Sequence, residues 1–244
     1  IPPNNKKINH FNEYNGRLYI STGYGISVYN LDTLEFGDTY FIGDLGSQIN
    51  ITQTTVLGDL IYASSSENGI KSALVADESI IDFEEWTTVI EGGYKGIQSL
   101  GSELYTVNNN NTILKFDLDV GFLQIDFFIS PVLDFGVASE VLTITTENSI
   151  KAYTEGYSLL EEVNNLIDFD YKLQSGYTFN NTFYLGTTDF GMLVVPFGTS
   201  QAEQILPDGP LFNQAFAIDA SPGQLWVAFG EIDLNFNPYP LTKR

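Results

Sequence analysis

Short apolar strands that follow a turn recur along this chain. Six segments share the pattern: Gly16-Arg17-Leu18-Tyr19-Ile20, Gly58-Asp59-Leu60-Ile61-Tyr62, Gly101-Ser102-Glu103-Leu104-Tyr105, Ala138-Ser139-Glu140-Val141-Leu142, Asn180-Asn181-Thr182-Phe183-Tyr184 and Gly223-Gln224-Leu225-Trp226-Val227. With Leu18, Leu60, Leu104, Val141, Phe183 and Leu225 taken as equivalent, successive spacings are 42, 44, 37, 42 and 42 residues. A near-constant period of this size is that of a four-stranded propeller blade. A polar turn and a second strand follow in most units, as in Ser21 to Gly25 before Ile26-Ser27-Val28-Tyr29, and Asn108 to Asn111 before Thr112 to Phe116. Within these second strands apolar and polar positions alternate, the period-two signal of a β-strand. The turns are rich in Gly and Asn, which tolerate positive φ. Outer strands are expected at Asp38 to Ile42 and Leu123 to Phe128, and the Leu159 to Val163 stretch suits the same place.

Rival repeats do not fit. Leucine-rich repeats are shorter, helical repeats need a helical period, and the Trp-Asp dipeptide of another propeller class is missing. After Phe229 only 15 residues remain, Pro238 and Pro240 among them, so no complete further blade fits. The expectation is an all-β protein, a β-propeller of four-stranded antiparallel blades with about six repeat units, five full plus part of a sixth. Residues 1–244 read as a single propeller domain or a fragment of a larger propeller, with 231–244 a tail or linker to a downstream region. Either residues near Ile8 to Phe11 help close a six-bladed ring, or the ring is larger.

Composition adds exclusions. Hydrophobic residues make up 43% and aromatics 14%, enough for a packed core and suited to strands. Ten basic residues stand against 31 acidic ones, a net charge of −21. Nucleic-acid binding draws on Lys and Arg, which are scarce here, and an anionic membrane surface repels such a chain. The acidity reads as a solvated surface, or as a preference for a basic partner or bound cations. With no cysteine, thiolate metal sites, thiol nucleophiles and disulfides are excluded. The start, Ile1 to Lys7, lacks the apolar core of a signal peptide, and no run is long enough to span a bilayer. Both fit a mature or excised soluble segment.

No enzyme signature emerges. His10, the single histidine, has no second histidine or nucleophile motif beside it and reads as a partly buried or surface residue. Gly-x-Ser-x-Gly, a phosphate-binding loop and zinc spacings are absent. Asp117 with Asp119, and Asp168 with Asp170, place two carboxylates on one face if those segments are strands. Such a pair suits calcium, which takes several oxygen ligands, or is simply a solvated turn. No other cofactor is expected. In a propeller the turns between the repeat's first and second strands gather at one mouth of the channel. Here they supply Tyr24, Glu67, Asn68, Asn109, Asn110, Glu147, Asp189, Phe190 and Glu231, a mix suited to a sugar or peptide, and also what hairpin turns contain anyway.

Residues 18 to 30, Leu-Tyr-Ile-Ser-Thr-Gly-Tyr-Gly-Ile-Ser-Val-Tyr-Asn, resemble the regulator-propeller repeat of periplasmic sensor regions in bacterial hybrid two-component proteins. Gly25 to Leu31, Leu34 to Gly43, Leu225-Trp226-Val227 and Asn237 to Leu241 resemble more closely the N-terminal β-propeller of PorZ proteins of the Bacteroidetes type IX (Por) secretion system. That resemblance implies an extracytoplasmic protein, at the outer-membrane surface or in the periplasm. It implies a non-catalytic platform that partners other components of a secretion and attachment complex, or an adjoining domain of the same chain. In such a complex a sortase removes the cargo's C-terminal signal and attaches the cargo to anionic lipopolysaccharide. The alternatives are a periplasmic ligand-sensing propeller and, third, a carbohydrate-active enzyme with converging carboxylates.

Overall fold

A computed structural model describes residues 6–117, 119–206, 215–221 and 224–229. The chain divides into two compact units, Ile1–Ile205 and Leu206–Arg244. The first holds five sheets, each of four antiparallel strands in simple up-and-down order. Sheet 1 comprises β1 (Ile8–Tyr14), β2 (Arg17–Thr22), β3 (Gly25–Asn30) and β4 (Glu35–Tyr40). Sheet 2 comprises β5 (Ile51–Leu57), β6 (Leu60–Ser65), β7 (Ile70–Leu74) and β8 (Thr87–Ile90). Sheet 3 comprises β9 (Tyr94–Leu100), β10 (Glu103–Asn108), β11 (Thr112–Asp117) and β12 (Gly121–Phe127). Sheet 4 comprises β13 (Val132–Ala138), β14 (Val141–Thr146), β15 (Ile150–Thr154) and β16 (Ser158–Val163). Sheet 5 comprises β17 (Leu173–Phe179), β18 (Thr182–Thr187), β19 (Met192–Pro196) and β20 (Glu203–Ile205). In the second unit β21 (Ala215–Ser221) pairs antiparallel with β22 (Gln224–Phe229).

The five sheets are the blades of a β-propeller. Every pair of consecutive sheets encloses its own apolar cluster, because the second strands are apolar on both faces. In β6, Ile61 and Ala63 pack toward sheet 1, and Tyr62, pointing the other way, packs with Tyr94 and Leu104 of sheet 3. In sheet 4, Leu142 and Ile144 join Tyr105 and Val107 of sheet 3, whereas Ile150 and Ala152 join Phe183 and Leu185 of sheet 5. Each fully buried Ile or Leu contributes on the order of 2–3 kcal/mol by leaving water.

The repeat begins one strand earlier than the sequence suggests. What reads as the first strand of each unit (β2, β6, β10, β14, β18) is the second strand of its sheet. The strand before it is joined to it by a two-residue turn: Asn15-Gly16, Gly58-Asp59, Gly101-Ser102, Ser139-Glu140 and Asn180-Asn181. Residues Ile8 to Phe11 therefore do not close a final blade. They pair with β2 as the first strand of sheet 1. The expected sixth repeat unit is represented among the described residues by the two strands β21 and β22, and the expected tail 231–244 lies outside them.

Candidate functional site

The first strands β1, β5, β9, β13 and β17 pack on one another in sequence and surround the axis of the first unit. Each has one face of hydrogen-bonding groups that its own sheet does not satisfy, the open-edge problem of any β-sheet. Each also carries a β-bulge at its second residue: Asn9, Thr52, Lys95, Leu133 and Gln174. A bulge leaves one residue unpaired and re-aims its side chain. In sheets 1, 2 and 3 it aims at the next blade, whereas in sheet 5 Gln174 Nε2 donates to Thr188 Oγ1 of its own sheet's turn. Asn9 Nδ2 donates to Ile51 O (2.6 Å) and Asn50 Oδ1 (2.9 Å). Thr52 Oγ1 lies 3.1 Å from Tyr94 O and from Ser64 O, its one proton shared between them. Lys95 Nζ donates to Val132 O (3.2 Å) and to Asn111 Oδ1 (2.6 Å). Leu133, at the equivalent position in sheet 4, has no donor to offer.

The residue after the bulge forms a second tier. Gln53 Oε1 accepts from Ile97 N–H (2.9 Å) and from Gln98 Nε2 (3.0 Å), and Gln53 Nε2 donates across the axis to Phe135 O (2.7 Å). At the same register one blade pair further on, Asp134 Oδ2 accepts from Gly176 N–H (3.2 Å). Gly96 leaves room for this packing, since a Cβ there would stand 2.5 Å from Gln53 Oε1. Gln98 Nε2 also reaches His10 Nε2 at 3.3 Å. Because the amide donates, His10 Nε2 accepts, and the neutral ring carries its proton on Nδ1. Burial pulls the His10 pKa from 6.5 down to about 4. His10 Nδ1, Asn12 Nδ2 and Thr145 Oγ1 are buried without a hydrogen-bond partner.

Two cavities adjoin this cluster. One, of about 350 Å³, opens at the end where the first strands begin and is lined by Asn9, Asn50, Thr52, Gln53, Lys7, Lys95 and Val132 to Phe135. The other, of about 270 Å³, lies deeper, against His10, Phe135, Gly136, Thr143, Gly176 and Tyr177. Burial lowers the Lys95 pKa from its ordinary value.

The turns named from sequence in sheets 1 to 5 sit at the same end as the first cavity, because Ile8 opposes Thr22 and each equivalent strand pair runs likewise. None of them lines that cavity. Tyr24 OH meets Ser27 Oγ at 3.3 Å, with its ring 6.5 Å from that of Phe41. The Glu67 and Asn68 N–H groups donate to Ser65 Oγ, and Asn110 N–H to Asn108 Oδ1, as self-closing turns do. Asn109 Nδ2 bridges to Ser66 O of the neighbouring turn (2.9 Å), so the turns of sheets 2 and 3 are joined. Glu147 pairs with Lys172 at 2.8 Å. Phe190 packs edge-on against Phe169, and Asp189 beside it is exposed. Glu231 lies outside the described residues.

Neither carboxylate pair lies on a strand face. Asp117 ends β11, and its Oδ1 accepts from Asp119 N–H and Val120 N–H, closing the hairpin turn. Asp168 and Asp170 sit in the connection between β16 and β17, where the one bridge is Leu166 with Phe169. Among the described residues no three His, Asp or Glu side chains gather as a metal site would require. The axial residues Asn9, Thr52, Gln53, Lys95 and Asp134 are absent from the sequence-based set. Their signal is an apolar residue followed by two that break alternation, as in Ile8-Asn9-His10 and Ile51-Thr52-Gln53.

Residues 2–87 match the family model for the N-terminal β-propeller domain of PorZ, of the type IX secretion system. The chain is similar to the solved structure of PorZ from Porphyromonas gingivalis, described as an essential bacterial surface component of that system. The TM-score is 0.69 at 19% identity, over 94% of this chain and 30% of that one. It is also similar to the extracellular domain of a putative one-component system of B. thetaiotaomicron, with TM-score 0.61 at 16% identity, over 93% of this chain and 32% of that one. A structure of the same domain described as a putative hybrid two-component system gives a TM-score of 0.58. The chain thus spans about a third of the length of these structures, and the likeness establishes the propeller fold. No curated protein matches the sequence.

Proposed function

We propose that this chain is a non-catalytic propeller platform that binds protein partners in a cell-surface secretion and attachment complex of the type IX kind. The observation that carries this reading is the match of residues 2–87 to the PorZ propeller family, joined to a propeller likeness over 94% of the chain. The axis supports it, because its polar side chains are largely spent on one another and on the open edges of neighbouring blades. The partner surface in this reading is the rim of turns of the first unit bearing Tyr24, Glu67, Asn68, Asn109, Asn110, Glu147, Asp189 and Phe190. Loops held by a rigid scaffold are where binding residues concentrate. The protein acts outside the cytoplasm and does not insert in the membrane; among the described residues no helix is long and apolar enough to cross one.

The test is in-cell cross-linking of the full-length tagged protein followed by identification of the captured proteins. Type IX secretion components are expected, and a Glu67→Lys, Asn109→Lys, Glu147→Lys variant should lose them. Capture of none of those components by the wild-type protein would overturn the reading. A second reading, a ligand-sensing propeller, is favoured by the likeness to the B. thetaiotaomicron extracellular domain over 93% of the chain. A membrane helix followed by a kinase segment in the full-length gene would select it.

A further inference from the structure

Four lysines of the described residues each have a carboxylate partner: Lys71 with Asp44, Lys115 with Glu103, Lys151 with Glu162 and Lys172 with Glu147. Lys95 differs. In a chain with 31 acidic residues, its ammonium is partly withdrawn from water and bonds only neutral oxygens, Asn111 Oδ1 and Val132 O. These two bonds hold Nζ at the wall of the 350 Å³ cavity and leave it a third N–H. Lys7 lines the same cavity. Asp134, the one carboxylate there, already accepts Phe135 N–H and Gly176 N–H. The remaining lining is mainly amide and hydroxyl, from Asn9, Asn50, Thr52 and Gln53, with the apolar Leu133 at one side. Among the described residues no carboxylate, Asp134 included, comes within 4.0 Å of Lys95 Nζ, and a partly withdrawn cation with no direct ion pair is an arrangement that an anion relieves.

We propose that the axial mouth between Lys7 and Lys95 is a binding site for a small oxyanion-bearing molecule, a carboxylate or a phosphate. The volume is at the lower end of those of ligand pockets, which suits a small acid rather than a polymer. Charge-assisted N–H···O⁻ bonds from the two lysines fix the anion, and the Asn9 and Asn50 amides orient what it is attached to. None of the described rim residues lines this site, although the two adjoin: Lys7 O accepts from Gly23 N–H and Asn50 Nδ2 donates to Ser66 Oγ.

The test titrates the whole chain with succinate, with inorganic phosphate and with neutral succinamide, following backbone and side-chain amide NMR signals. Shifts at the Asn9, Asn50 and Asn111 side chains are expected to saturate in the millimolar range with an oxyanion and to be missing with succinamide. Succinate alone points to a carboxylate source, phosphate alone to a phosphoryl source. Lys95→Gln retains a donor for Val132 O and removes the charge, so it should stay folded and bind about tenfold more weakly. Lys7→Gln should weaken binding less, and Lys151→Met on the outer part of sheet 4 should leave it unchanged. Absence of saturable shifts at these amides with either anion, or unaltered binding by a folded Lys95→Gln, overturns the proposal.

Discussion

The first and second strands of each blade lie side by side and are held by opposite physics. The second strands bury Ile, Leu, Val and Tyr on both faces, and non-directional burial joins each blade to the next. The first strands have no further strand to pair with. They are joined by directed bonds: Asn9 to Ile51 O, Lys95 to Val132 O, Gln53 to Ile97 N–H and Phe135 O, Asp134 to Gly176 N–H. Burial tolerates substitution of like for like, whereas the polar clasp depends on individual atoms. Five similar blades can therefore share an apolar pattern while differing residue by residue around the axis, which is where a binding preference can reside.

Substitutions in the two regions separate these mechanisms. The largest loss is expected from Ile61→Ala, fully buried between sheets 1 and 2, at about 2–5 kcal/mol in denaturant unfolding. Gln53→Leu keeps similar volume but strands Ile97 N–H, Phe135 O and one Gln98 proton, and is expected to cost about 2–3 kcal/mol. If Gln53→Leu is neutral, the clasp does not hold the axis and burial alone does.

Away from the axis, Glu103 accepts from Tyr105 OH, Lys115 Nζ and Gly156 N–H. Burial pushes its pKa up, but these bonds outweigh burial and hold it below the usual 4.5. A carboxylate depressed in the folded state stabilises above its unfolded pKa and loses that contribution as pH falls through the lower folded value. Glu103→Gln is therefore expected to cost about 1–2 kcal/mol at neutral pH and less than that in acid, measured by urea unfolding at both. The smallest effect is a gain. Ser139 and Glu140 both sit at positive φ, 49° and 62°, in a turn whose counterpart in sheet 1 is Asn15-Gly16. Ser139→Asn with Glu140→Gly should raise stability by about 1 kcal/mol, seen as a higher unfolding midpoint.

The second strands were legible because residues such as Leu60-Ile61-Tyr62 carry a clear apolar signal, and because four of the five two-residue turns before them, all but Ser139-Glu140, are marked by Gly or Asn. The first strands were not, since a bulge at Asn9, Thr52 or Lys95 breaks the alternation where they begin. The rim turns were legible as turns. The cavity was not, because its walls come from sheets whose strands lie about one repeat apart in sequence, and no local motif marks Lys95 beside Asp134. His10 is the clearest case: a lone histidine with no motif around it becomes a buried member of the clasp through Gln98, which stands 88 residues away.

That residue provides the most direct test. It is the only histidine, so its imidazole gives one resolvable titration by NMR. The account expects a neutral ring protonated on Nδ1, titrating near 4 rather than 6.5. Stability should accordingly fall as pH drops from 6.5 toward 4, because over that range the unfolded chain binds a proton that the folded one refuses. A titration near 6.5 in the folded protein would mean that His10 is hydrated, that the Gln98 contact does not persist, and that the axis is an open channel rather than a clasp.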